Sequence, residues 1–155
     1  MGKTAPHVPA SAVGLRVTVV AARYNVELVE QLIDGARAAW LAAGGEAEAL
    51  RVERVPGAFE LALAAQALAR RGNCDALVAL GCVIRGDTAH FEFVAGECAR
   101  GLQQVMLNTG VPVAFGVLTT ENAAQAQARA APGALNKGGE ALQTALAMAR
   151  LLRSI

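Results

Sequence analysis

Four stretches of this chain are rich in apolar and β-branched residues, and each leads into a helical pattern, so strand and helix alternate along its length. "LRVTVVAA" (15–22) stops at "RYN", where Asn25 can cap a helix. Val29, Ile33, Ala36 and Trp40 then recur at spacings of four and three, one face of that helix, until "GG" at 44 and 45 ends the run. "EALRVERV" (48–55) stops at Pro56 and Gly57 and gives way to "AFELALAAQALARRG", dense in strong helix formers. "DALVALGCVI" (75–84) precedes "AHFEFVAGECARGLQQVMLNTG", and "VPVAFGVLT" (111–119) precedes a short helix from about Asn122 to Ala131. A glycine-containing loop leads to a last helix with Leu142, Leu146 and Ala149 on one face.

Strands that are apolar throughout and separated by helices belong in a parallel sheet covered on both sides. With right-handed crossovers the chain makes a single-domain three-layer α/β/α sandwich, flavodoxin-like, around a central four-stranded parallel sheet. The folded domain is expected over 14–155. Residues 1–13, with three alanines, two prolines and no apolar period, read as a flexible N-terminal arm that also holds His7. Open sheets of this kind bind ligands beyond the carboxyl ends of their strands. The segments "RYN", "PGAFE", "RGDTAH" and "FGVLTTEN" are therefore expected to lie side by side.

Composition narrows the partners. The net charge is +1 and the signs are interspersed, which argues against nucleic-acid binding. Cys74, Cys82 and Cys98 contain no C-x-x-C pair and lack the histidines to complete a zinc site, so no metal is expected and they read as small buried hydrophobes in a reducing, cytoplasmic setting. No apolar run approaches the roughly 20 residues needed to span a bilayer, so no membrane partner is expected either. Low charge and few aromatics leave apolar surface for a second copy to cover, and self-association is expected.

Within the strand-end segments, His90 stands at a strand-to-helix junction and has a side chain suited to proton transfer at neutral pH. Taken alone it fits equally a helix-start side chain making one structural hydrogen bond. Thr88 can cap that helix, and the exposed N–H groups beside it would seat a phosphate. Arg85 can add charge there or pair with an acid such as Asp87, and the structural role comes first. Pro56 and Gly57 are explained as turn formers and Glu60 as a first-turn acid, with a planar heterocycle as the functional alternative. Tyr24 and Phe115 offer flat faces for stacking or for the core, and Arg129 and Lys137 fall around the last loop, where solvation is the default. G-x-x-x-x-G-K-[ST] and G-x-G-x-x-G are both absent, so no motif supports a nucleotide cofactor.

Six segments, "RYN", "VPGAFELA", "LGCVIRGDTAHFEFV", "PVAFGVLTTEN", "QARA" and "NKGGEA", together resemble the lumazine synthase family in order and approximate spacing, from about Leu15 to the C-terminus. The resemblance implies a transferase of riboflavin biosynthesis. Such an enzyme joins 5-amino-6-(D-ribitylamino)uracil to 3,4-dihydroxy-2-butanone 4-phosphate, releasing phosphate and water, with no metal or organic cofactor. It further implies that Tyr24 stacks on the pyrimidine, that Asn25, Ala58, Phe59 and Glu60 hold the heterocycle and ribityl chain, and that Cys82, Val83 and Ile84 line the ring's other contacts. Asp87 and Thr88 would start the helix that receives the butanone phosphate, Arg129 would supply its countercharge, and His90 would shuttle protons. Phe115 and Lys137 would complete a pocket between adjacent subunits of a pentamer. Readings from other classes are a flavin- or pteridine-binding module and a shell protein, neither with turnover.

Tyr24 stands where the family usually carries Phe or Trp, keeping a stacking face and adding a hydroxyl. The loop "APGAL" before Asn136 lacks the Gly-Thr-Lys-Ala-Gly pattern associated with shell-forming members, and Pro6 and Pro9 would limit an arm that adds a strand to its neighbour. A pentamer or a dimer of pentamers is expected in preference to a sixty-subunit shell.

Overall fold

The structure, a computed structural model, describes residues 9–155; His7 and Pro6 lie outside the described residues. Four strands, β1 (Val17–Ala22), β2 (Arg51–Val55), β3 (Ala76–Ile84) and β4 (Val113–Thr120), form one sheet in the order β2-β1-β3-β4. Every pairing is parallel. Five helices follow the strands: α1 (Val26–Ala42), α2 (Leu61–Arg70), α3 (His90–Thr109), α4 (Ala123–Ala130) and α5 (Lys137–Ser154). The expected three-layer α/β/α sandwich is what forms.

The period of two along a strand explains why the central strands are apolar throughout. In β3, Ala76, Val78, Leu80 and Cys82 enter a core with Leu32, Ile33 and Trp40 of α1 and Leu142 and Leu146 of α5. Leu77 and Ala79 enter a second core with Leu61 and Ala65 of α2 and Cys98, Leu102 and Val105 of α3. All three cysteines are unpaired and buried, as their reading as small hydrophobes anticipated.

The edge strand β2 departs from that pattern. Residues 47–49 make a single 3-10 turn, so the strand starts at Arg51 rather than 48, and only Val55 of its five residues is buried. Its charged side chains suit an edge open to solvent on one side. Arg51 pairs with Glu53, and Arg54 reaches Glu30 of α1 at 2.6 Å.

Two contacts bring the described end of the N-terminal segment against the body. Ala12 is buried and its amide donates to the carbonyl of Ala43 at 2.9 Å. From α5, Arg150 donates to the carbonyls of Ser11 and Val13. Among the described residues, no helix is long and apolar enough to cross a membrane.

The α1/α5 contact depends on small residues. A side-chain carbon placed on Gly138 would come within 1.9 Å of the Leu32 carbonyl oxygen, so only glycine lets α5 approach α1 this closely. Asn136, buried beside it, caps α5: its Oδ1 accepts from Gly138 N at 2.8 Å and Gly139 N at 3.1 Å.

Candidate active site

Three of the four strand-end segments meet in one cleft of about 730 Å³ at the carboxyl edge of the sheet. Tyr24 and Asn25 enter it from the end of β1, Gly57 to Glu60 from the end of β2, and Cys82 to Ile84 with Gly86, Thr88 and His90 from the end of β3. The order β2-β1-β3 makes these three ends neighbours.

The fourth segment lies beside the third but lines a different cleft. Phe115 to Thr120 of the edge strand β4 line a separate cleft of about 440 Å³ with Arg129 of α4 and Lys137 of α5. The four strand ends do lie side by side as expected, the amide of Arg85 donating to the carbonyl of Thr120, but they do not share one cleft. Phe115 is the third residue of β4, well before its end, and β4 lies beyond β3, away from β1 and β2. Asp87 is exposed and lines neither cleft.

In the first cleft, Asn25 does not cap α1 with its side chain, contrary to expectation. Its backbone sits in the left-handed region at φ 54, and its Nδ2 donates to the carbonyl of Cys82 at 2.9 Å, tying the ends of β1 and β3 together. The turn after β2 is a 3-10 turn, Ala58–Glu60, before α2 begins. There the Glu60 carboxylate accepts from the amide of Gly57 at 3.0 Å, which fixes the loop backbone beside the cleft.

Thr88 acts as the expected cap in one respect: its hydroxyl accepts from the amide of His90 at 3.3 Å. The His90 side chain is exposed at the start of α3, facing the cleft. Burial pushes the Cys82 thiol up to about 11, so it stays an S–H at neutral pH rather than a reactive thiolate.

Arg85 pairs with Glu92 and with Glu121, not with Asp87. These hydrogen bonds raise the Arg85 pKa, and the bond from Arg85 lowers that of Glu92.

Aromatic faces stand open around the cleft. Tyr24 is 75%, Phe59 59% and Phe93 68% exposed, more than aromatic side chains without a partner usually show. In the sequence, Phe91 and Phe93 read only as part of the helical pattern of α3, with no sign of a role in a site. Their place in the cleft comes from the helix starting at His90, so its first turn, not its middle, borders the site.

In the second cleft, Arg129 donates to the carbonyl of Gln125 at 2.9 Å, and among the described residues no carboxylate pairs with it. Lys137 pairs with Glu140 at 2.6 Å. Sequence reasoning missed Glu140 as well, although its i,i+3 spacing from Lys137 is visible in "NKGGE".

A family model described as 6,7-dimethyl-8-ribityllumazine synthase matches residues 14–153. Proteins of that name in Thermus thermophilus and Edwardsiella ictaluri are similar to this chain. The first is 49% identical over 145 residues, 94% of this chain and 92% of its own length. The second is 54% identical over 141 residues, 90% of each. The protein of that name from Halorhodospira halophila is 49% identical over 140 residues, again 90% of each. With both clefts inside the matched span, the chain belongs to the 6,7-dimethyl-8-ribityllumazine synthase family.

Proposed function

We propose that this protein condenses 5-amino-6-(D-ribitylamino)uracil with 3,4-dihydroxy-2-butanone 4-phosphate to give 6,7-dimethyl-8-ribityllumazine, as a transferase of riboflavin biosynthesis. Family membership supports the reaction. The observation that carries the site is the convergence of Tyr24, Glu60 and His90, from three different strand ends, on one open cleft.

The pyrimidine lies against Tyr24, held by Asn25, the Ala58–Glu60 turn and the β3 segment Cys82 to Ile84. The butanone phosphate sits at the first turn of α3 with Thr88, Asp87 marking that loop. The amine attacks the ketone and water leaves to form an imine. Phosphate is then eliminated, and after tautomerisation the ribitylamino nitrogen closes the second ring with loss of a further water. Each step moves a proton between neighbouring atoms, which positioning and one proton carrier, His90, can serve. No enzyme nucleophile is required, consistent with the protonated Cys82 thiol.

Phe115, Arg129 and Lys137 complete the site from a neighbouring copy, Arg129 facing the phosphate. The separate location of these three residues within one chain and the uncovered Tyr24, Phe59 and Phe93 support a site formed between subunits. A homopentamer, or a dimer of pentamers, is the assembly of choice. The buried, unpaired cysteines support a cytoplasmic location.

Mixing the two substrates with the protein should produce the fluorescent lumazine with one phosphate released per product. A protein that binds a flavin or pteridine but leaves both substrates unchanged would refute the reaction. Native mass measurement distinguishes five, ten and sixty subunits.

A further inference from the structure

We propose that Arg85 is a positioning residue for His90, holding the first turn of α3 through Phe91 and Glu92. The inference rests on His90 being the proton carrier of the lumazine-forming reaction.

Arg85 is anchored before its side chain begins. It lies one residue past β3, and its amide donates to the carbonyl of Thr120, the last residue of β4, at 2.9 Å. From that base the guanidinium makes three contacts. Its Nε donates to Glu121 at 2.6 Å, its Nη1 donates to Glu92, and its Cζ lies 4.3 Å from the centre of the Phe91 ring. A planar guanidinium can meet two carboxylates along its edge while laying its face on an aromatic ring; a lysine ammonium cannot.

Two of those contacts go to the residues directly after His90. His90 itself has few ties: its amide reaches the Thr88 hydroxyl at a long 3.3 Å, and among the described residues its imidazole makes no hydrogen bond. The location of the imidazole therefore depends on the turn that carries it, and Arg85 is what joins that turn to the ends of β3 and β4. All three charged groups are partly exposed, so the network contributes little to global stability. Its loss should loosen the turn and leave the fold standing.

The test compares wild type, Arg85→Ala, Arg85→Lys, His90→Ala and the Arg85→Ala/His90→Ala double variant. The readouts are steady-state kinetics in both substrates, thermal unfolding and imidazole NMR spectra. Arg85→Ala should lower kcat about tenfold with KM for the pyrimidine within about twofold, because a small misplacement of a reacting group is costly. Arg85→Lys should stay close to Arg85→Ala. In the His90→Ala background, Arg85→Ala should change kcat by less than about twofold, the signature of two residues acting as a unit. The His90 imidazole signals, identified by their absence in His90→Ala, should shift in Arg85→Ala.

Three results would overturn the proposal: full rescue by lysine, a tenfold loss persisting without His90, or a rise in KM for the phosphorylated substrate with kcat unchanged. Unmoved imidazole signals would do the same. Should Arg85→Ala fail to fold, Glu92→Gln breaks the same tie and should lower kcat severalfold; an unchanged kcat counts against it. If wild type itself does not turn over, the reaction assignment fails, and the imidazole spectra alone decide for or against Arg85.

Discussion

The side-chain amide of Asn136 donates to the carbonyl of Ala130 at 2.7 Å, closing the loop between α4 and α5. The same nitrogen reaches the carbonyls of Gln31 and Ala131, at 3.0 and 3.3 Å, so one buried residue joins α1, the end of α4 and the start of α5. Its neighbour Lys137 is one of the residues in the second cleft.

Asn136 is only 2% exposed, so water cannot replace what its side chain provides. Asn136→Ala is expected to cost about 2–4 kcal/mol, from the lost cap and from backbone groups left unpaired. The thermal midpoint should fall by roughly 5–15 °C. Asn136→Asp should fare no better, since a carboxylate would face three carbonyl oxygens. Calorimetry of both variants checks this, and a wild-type midpoint for either would show that the loop is held by other contacts.

His90→Ala should slow turnover by roughly tenfold to a thousandfold and leave the product unchanged, because a proton carrier is lost while positioning by the cleft survives. Single-turnover fluorescence measures it. A variant as fast as wild type removes His90 from the reaction.

Arg129 stands without a paired carboxylate among the described residues. Arg129→Ala should raise KM for the phosphorylated substrate at least about tenfold, the scale of a lost charge-assisted hydrogen bond, while KM for the pyrimidine moves far less. Equal losses for both substrates would end its phosphate role.

Asp75 governs part of the response to acid. Burial alone would raise its carboxyl, but hydrogen bonds from the side chain and amide of Arg16 and from Arg153 outweigh that effect and hold it below the ordinary 3.8. A carboxyl lowered in the folded state adds stability that is present above its unfolded value and is lost as pH falls through its folded value. Asp75→Asn should therefore be less stable than wild type at pH 7, and the gap should narrow as pH drops below 3.8. Urea unfolding at pH 7 and at about pH 3 measures both gaps; a constant gap would mean the carboxylate charge is not what stabilises.

The strand-helix alternation, the parallel sheet and the loop that carries His90 could all be read from the chain, because apolar runs and turn residues are local properties of a sequence. Most residues of the first cleft were legible for the same reason: they come directly after strands, and parallel sheets gather strand ends. Strand order is not local. Only the tertiary structure sets β4 at the edge beyond β3, and so separates Phe115, Arg129 and Lys137 from His90 within one chain.

Partner choice was likewise closed to sequence. Asn25 looked like a cap because its side chain suits that task, yet its left-handed backbone and the neighbouring end of β3 give it the Cys82 carbonyl instead. Arg85 had Asp87 two residues away. The fold offered Glu92 in the first turn of α3 and Glu121 just past the end of β4, and a guanidinium that can satisfy both while covering Phe91 settles there. The sequence by itself determined which elements form and which loops hold the candidate site residues. The packing of those elements decided which side chains meet, because contacts between residues far apart in the chain exist only once the sheet has its order.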